Sequence, residues 1–178
     1  MKELSLHILD IATNSIDAGA SKIEIKVKVD TQEDYFRINI KDNGKGIGEN
    51  IQQQVMNPFY TTRKVRKVGL GIPLLKAAAE QCEGFLKIQS EENVGTEVTT
   101  EFKNSHIDRA PLGKIEESIL TILNFNEKFD LIYIHDVNGK RFVLDTREIK
   151  EILGEVDIKT PKILMWIKGY IKENIDKI

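Results

Sequence analysis

Hydrophobic positions recur along this chain at two different periods. From Leu4 to Ala18, Leu4, Ile8, Ile11, Ala12 and Ile16 share one arc at about 100° per residue, while His7, Asp10, Asn14 and Asp17 fall on the other. That spacing predicts an amphipathic helix. Leu6 is the one large apolar residue on its polar side, and Gly19 is the expected stop, since glycine tolerates the positive φ of a helix end. SKIEIKVKVD then alternates strictly, with Ile23, Ile25, Val27 and Val29 on one side and charges on the other. YFRINI repeats the pattern through Phe36, Ile38 and Ile40, and the polar DTQED between the two runs predicts an antiparallel hairpin.

Further on, a glycine-rich loop DNGKGIG precedes a short helix around Asn50 to Met56, a loop with Pro58 and a basic stretch. A helix from about Gly71 to Cys82 and two strands, Phe85–Ser90 and Thr96–Phe102, follow. The character shifts near Asn104. HIDRAPLG reads as a linker, Leu112 to Phe125 as a helix, and DLIYIHDVNGKRFVLD as a hairpin turning at Asn138-Gly139, a pair favoured in two-residue turns. Two more helical stretches close the chain, with Ile163, Trp166 and Ile167 expected in the core on an amphipathic helix that has an alternative use as a dimer surface. Strands and helices in separate runs predict an α+β fold, a two-layer sandwich with a mixed, largely antiparallel sheet and helices on one face. Residues 1–104 form the main domain in this reading, and 105–178 a small α/β extension packed on it.

Composition narrows the classes. With 178 residues, 30% charged and 40% hydrophobic, the chain is long enough for one substantial core. A net charge of −2 argues against general nucleic-acid binding. A single cysteine, Cys82, excludes an intrachain disulfide and a thiolate metal cluster. No apolar run approaches a membrane span and MKELSLHILD lacks the layout of a signal peptide, so no membrane association is expected and cytoplasm is the expected compartment.

Four short pieces carry candidate chemistry. DNGKGIG, Asp42 to Gly48, lacks the lysine and spacing of a Walker loop, the third glycine of a dinucleotide fingerprint and the acidic positions of an EF-hand. VGLGIPLL, Val68 to Leu75, opens a helix directly after RKVRK, where bare backbone amides and cations favour an anion. Gly95-Thr96 stands at the turn between two strands. The fourth piece is NSIDAG, with Asp10 one turn before Asn14.

In their order and spacing these pieces resemble the GHKL superfamily of ATPases and kinases, which includes gyrase, the ninety-kilodalton chaperone, histidine kinases and MutL. Asp10 to Ala20 is similar to its N box, DNGKGIG to the G1 box, GLG to the G2 box, and Gly95-Thr96 to the last glycine box. NPFYTTR, Asn57 to Arg63, is similar to the histidine-kinase F box. The likeness covers about Lys2 to Phe102 and implies a Bergerat fold that binds ATP with Mg²⁺. It implies that Asn14 supplies an amide oxygen to Mg²⁺, that Asp17 and Ala18 stand at the same site, and that Asp42 accepts a hydrogen bond from the adenine amino group. It also implies that Gly44, Gly46 and Ile47 approach the base and that Thr96 helps bind it. Thr62, Arg63 and Lys64, with Arg66 and Lys67, would belong to a lid over the phosphates beside Gly69, Leu70 and Gly71.

Asp10 sits where MutL- and gyrase-like ATPases place a glutamate general base, and its reach is shorter by one carbon–carbon bond, about 1.5 Å. The N box resembles MutL, since Asp17 stands where histidine kinases carry a basic residue, whereas the F and G2 region resembles a histidine kinase. With Leu4 already opening the N-box helix, self-phosphorylation of the two-component type is not expected. Two functional expectations remain open: phosphorylation of a partner protein, or slow hydrolysis, and alternatively a non-catalytic, ATP-gated interaction module. His7 is expected to be structural or at the surface.

Overall fold

The computed structural model describes residues 2–48, 71–125 and 128–178. Helix α1, Leu4–Asp17, forms as its periodicity predicts: Leu4, Ile8, Ile11, Ala12 and Ile16 are all buried, Leu6 is exposed, and Gly19 beyond its end takes φ +74°. The first amides of any helix lack intrahelical partners, and no side chain caps this one. Two of them are satisfied from far along the chain: Leu4 N donates to Pro111 O at 2.9 Å and Ser5 N to Leu112 O at 2.8 Å. The segment that reads as a linker thus ties down the start of α1.

Strands β1 (Lys22–Asp30) and β2 (Tyr35–Asp42) form the expected antiparallel hairpin. Helix α2 (Gly71–Gln81) leads into a second hairpin, β3 (Phe85–Glu91) and β4 (Gly95–Lys103). After α3 (Ile115–Leu123) come β5 (Asp130–Val137) and β6 (Lys140–Asp145), then α4 (Thr146–Leu153) and α5 (Pro161–Ile175). The β5–β6 turn falls on Asn138 and Gly139, both at positive φ, and Asp136 clasps it by accepting from Gly139 N at 3.1 Å and from the Arg141 guanidinium. The six strands form one sheet in the order β3-β4-β2-β1-β5-β6, antiparallel throughout except where β5 joins β1 in parallel.

Alternation places Ile23, Ile25 and Val27 of β1, Phe36, Ile38 and Ile40 of β2, Val98 and Phe102 of β4 and Leu131 and Tyr133 of β5 on one buried face. Helices α1, α2, α3 and α5 cover that face, with α3 packed between α1 and α5. The opposite face carries charge and hydroxyl ladders, such as Arg37 to Glu101 at 2.6 Å and Asn39 to Glu97 and Thr99 at 2.8 Å. The architecture is therefore a two-layer α+β sandwich, and the C-terminal hairpin extends the same sheet. Among the described residues no helix is long and apolar enough to cross a membrane. The short helix expected around Asn50 to Met56 lies outside the described residues.

One side chain departs from its expected surroundings, and a second, His7, takes the buried one of its two expected places. Trp166 is 54% exposed and stacks on Tyr170 with ring centroids 5.0 Å apart, whereas Ile167 is fully buried. The helical period puts Trp166 about 100° from Ile167, on the flank of α5 where Tyr170 meets Phe142 of the edge strand. His7, from the polar arc of α1, is only 3% exposed, and among the described residues its Nδ1 has no hydrogen-bond partner.

Burial also lowers the pKa of His7 to about 4 and that of His135, which is bonded to the Tyr133 hydroxyl at 2.6 Å, to about 4. Both are neutral when folded, while the unfolded chain protonates them near the ordinary 6.5. Between those values the unfolded state binds more protons, so stability falls as pH falls, by about 1.4 kcal/mol per pH unit for each histidine. Urea midpoints measured from pH 7 to pH 4.5 should show this decline. His7→Leu should flatten the slope and raise stability by about 1 kcal/mol, because it removes an unsatisfied buried nitrogen.

Candidate functional site

The apolar face of the sheet turns polar at one end. In register across three strands, Ser90 of β3 pairs with Thr96 of β4, and Thr96 with Asp42 of β2. Each continues the inward alternation of its strand, following Ile88, Val98 and Ile40 respectively. A carboxylate and two hydroxyls thus stand where the next layer of core would otherwise lie, under the C-terminal half of α1.

Asp42 is held from three sides. Ser15 of α1, 3% exposed, donates its hydroxyl to Asp42 Oδ2 at 2.5 Å. Gly44 N and Thr96 N donate to Oδ1 at 2.9 and 3.3 Å. A carboxylate offers about four acceptor sites, so these bonds fill Oδ1 and leave Oδ2 with one lone pair to spare.

The loop after β2 is pinned to both neighbours. Lys45 N donates to Ala18 O at 2.9 Å, Asn93 N donates to Lys45 O at 2.7 Å, and Ile47 N donates to Ser90 Oγ at 2.9 Å. Gly46 sits at φ +61° against the carbonyl of Glu91, where a β-carbon would collide with backbone. A β-carbon on Gly44 would lie 3.0 Å from that of Ala18, tighter than ordinary contact.

On the other side of α1, Asp10 packs its carboxylate against Gly71, in the space a side chain there would need. Asn14 lies one turn beyond Asp10, about 6 Å along the axis, and is half-buried; Asp17 is exposed at the helix end. Among the predicted site residues the structure therefore gathers Ala18, Asp42, Gly44, Ile47 and Thr96 into one hydrogen-bonded cluster, with Gly46 packed beside it on the Glu91 carbonyl, and sets Asp10 against Gly71. Thr62, Arg63, Lys64, Gly69 and Leu70, with the F box, lie outside the described residues.

Sequence reasoning missed Ser15 and Ser90. Both carried a usable signal: each is a small polar residue in an otherwise apolar register, Ser15 at i+4 from Ile11 and Ser90 two places after Ile88.

The donor chemistry decides what can bind. Facing the cluster is an unfilled carboxylate lone pair, which suits a ligand N–H such as an exocyclic amine. Among the described residues no group of three histidine, cysteine or acidic side chains is placed to hold a metal. One carboxamide oxygen, that of Asn14, fits a hard cation whose remaining ligands are phosphate oxygens and water.

A mixed sheet covered by helices on one face, with a carboxylate clamped between sheet and first helix at its end, defines a two-layer α+β sandwich with a polar site at one end of its core. Comparison with known proteins places it. The chain belongs to the histidine kinase-, DNA gyrase B-, and HSP90-like ATPase family, whose model matches residues 2–106. Its relatives include a probable C4-dicarboxylate sensor kinase of Halalkalibacterium halodurans, 29% identical over 98 residues, which cover 53% of this chain and 18% of that protein. Sporulation kinase E of Bacillus subtilis is 31% identical over 96 residues, covering 54% of this chain and 13% of the kinase. The sensor kinase CckA of Brucella abortus is 26% identical across 74% of this chain and 16% of its own length. The chain thus spans less than a fifth of each of these relatives. Among solved structures, the N-terminal domain of a DNA repair protein superposes with a TM-score of 0.60 at 19% identity, over 87% of this chain and 58% of that one. Residues 2–106 therefore form a domain homologous to histidine-kinase ATP-binding domains.

Proposed function

We propose that this protein binds ATP with Mg²⁺ between α1 and the Ser90–Thr96–Asp42 row, and that it transfers the terminal phosphoryl group to a partner protein or, slowly, to water. The observation that carries the reading is the spare acceptor on Asp42, held in place by Ser15, Gly44 and Thr96. An adenine amino group would donate to it. Guanine would present a carbonyl there, leaving two acceptors face to face.

The phosphates would then run along the polar side of α1. Asn14 would hold the cation through its amide oxygen, with Asp17 reaching its water shell. Bound magnesium would screen the charge that builds on the phosphates during transfer. Asp10 would accept the proton from the attacking hydroxyl or water as its oxygen bonds to the terminal phosphorus. The bond from that phosphorus to the bridging oxygen breaks, and ADP leaves with the electron pair.

A non-catalytic, ATP-gated interaction module is the second reading. It is favoured by the segment beyond residue 106, which the family model does not match and which exposes Met165, Trp166 and Tyr170 on α5. A second copy of the chain is one candidate partner for that face.

Calorimetric titration with ATP, ADP and GTP in the presence of magnesium, followed by an ADP-release assay, tests the proposal. ATP and ADP should bind and GTP should not. No heat from ATP at millimolar concentration would overturn the reading. ATP binding without turnover, alone or with candidate partner proteins, would favour the interaction module.

A further inference from the structure

Strand β6 closes one edge of the sheet, beyond the residues that the family model matches. The two-residue turn at Asn138-Gly139 decides which of its backbone groups are free. Val137 and Lys140 flank that turn as a hydrogen-bonded pair, and such pairs alternate along an antiparallel ladder. Lys140, Phe142 and Leu144 therefore spend their N–H and C=O groups on β5, while those of Arg141, Val143 and Asp145 point out from the edge. Among the described residues no backbone bond reaches β6 from that side. An open edge is a template for another strand, and it is commonly blunted by a proline, a bulge or a charge along its length. In β6 the register is unbroken, the charges stand at the two ends, and the exposed residue between them is Val143.

An apolar flank lies beside this edge. Ile167 of α5 is buried, and Lys168, one step on, reaches Glu117 of α3 at 3.1 Å. Trp166, one step back, stands about 160° from Lys168 around the helix axis, on the side away from α3. Tyr170 on the same flank meets Phe142 of β6 edge-on, with ring centroids 5.4 Å apart. Helix α4 leaves the edge clear, since Lys150 fastens it to Phe129 O and Asp130 Oδ1 at the start of β5.

We propose that β6 is a homodimer interface: the β6 of a second copy pairs with it antiparallel about a two-fold axis through Val143, so that one sheet runs through both protomers. Of the antiparallel registers, only this one sets Arg141 of each copy opposite Asp145 of the other, and opposite charges across a ladder stabilise it. Arg141 already holds Asp136 and Asp145 already holds Arg147, so the signs alternate along the row that crosses the axis. On the helix side Phe142 meets Leu144, and Trp166 and Tyr170 of both copies line the seam. The same edge serves both copies, so this contact closes at two. The inference goes beyond the nucleotide reading and does not rest on it; it gives the exposed α5 face its occupant.

Sedimentation of the full chain without nucleotide tests it. The parent should be a dimer at micromolar concentration, and Trp166, the only tryptophan, should shift its emission to shorter wavelength as the dimer forms. Val143→Pro removes both N–H donors at the axis while sparing the bonds to β5, and should weaken the dimer about ten- to hundredfold. Val143→Lys and Val143→Glu each set like charges about 5 Å apart across the axis. Either variant alone should be monomeric and their equimolar mixture dimeric, which provides the result if the proline variant fails to fold. A monomeric parent, a dimer that survives both Val143→Pro and Val143→Lys, a monomeric mixture, or emission unmoved by association would overturn the inference. Each of these outcomes leaves the ATP reading standing, and failure to bind ATP would leave the dimer standing.

Discussion

Replacing Asp42 with asparagine should invert the base preference of this protein. The amide keeps the shape of the carboxylate, and its oxygen is held at the Oδ1 position because Gly44 N and Thr96 N both donate there. The NH₂ group must then replace Oδ2. One of its hydrogens meets Ser15, whose own proton can turn to Ile11 O, already 3.5 Å away. The other points where the spare lone pair was, so a donor faces the base in place of an acceptor. Losing a hydrogen bond to a charged group costs about 1.5–3 kcal/mol, which is roughly ten- to hundredfold in ATP affinity. Inosine triphosphate should bind better than to the parent. Asp42→Ala should lose ATP to a similar extent without gaining the inosine nucleotide. Competition binding reads both, and an alanine variant that binds ATP like the parent would remove Asp42 from the recognition site.

The second large effect concerns turnover. Asp10→Asn should slow ADP release or partner labelling by about 10²–10⁴-fold, the usual worth of a positioned general base, while ATP affinity changes only a few-fold. The structure supplies a control. Because the Asp10 carboxylate fills the space beside Gly71, Gly71→Ala should push it aside and slow turnover in the same direction with the carboxylate still present. Asp10→Glu adds about 1.5 Å of reach and should favour attack by water over attack by a protein hydroxyl. Single-turnover measurements separate these outcomes from binding. Unchanged turnover in Asp10→Asn would exclude the carboxylate as the base.

Much of the architecture was legible because local pattern and global fold agree. The arc of Leu4, Ile8, Ile11, Ala12 and Ile16, the alternation in β1 and β2 and the Asn138-Gly139 turn each follow from a single period or a single backbone preference. Asp42, Gly44, Gly46 and Thr96 were visible as a spaced set and meet at one end of the sheet, where Gly44 N and Thr96 N donate to Asp42. Ser15 and Ser90 were missed: their place in an apolar register marked them as unusual, but a serine there looks alike in a core stripe, a turn or a network until its neighbours are known. His7 was placed by its arc alone, and Trp166 was assigned to the core beside Ile167. Periodicity says which residues share a face but not which faces find a partner.

By itself the sequence determined the elements, their inward faces and the residue types at the site, because those depend on spacing within one segment. Only the tertiary structure decided that β5 adds in parallel to β1, that the carbonyls of Pro111 and Leu112 cap the helix carrying Asp10 and Asn14, and that Ser15 of that helix holds Asp42 at the end of β2. Each of these joins groups distant in the chain, and a local period carries no record of which distant segment a group will meet.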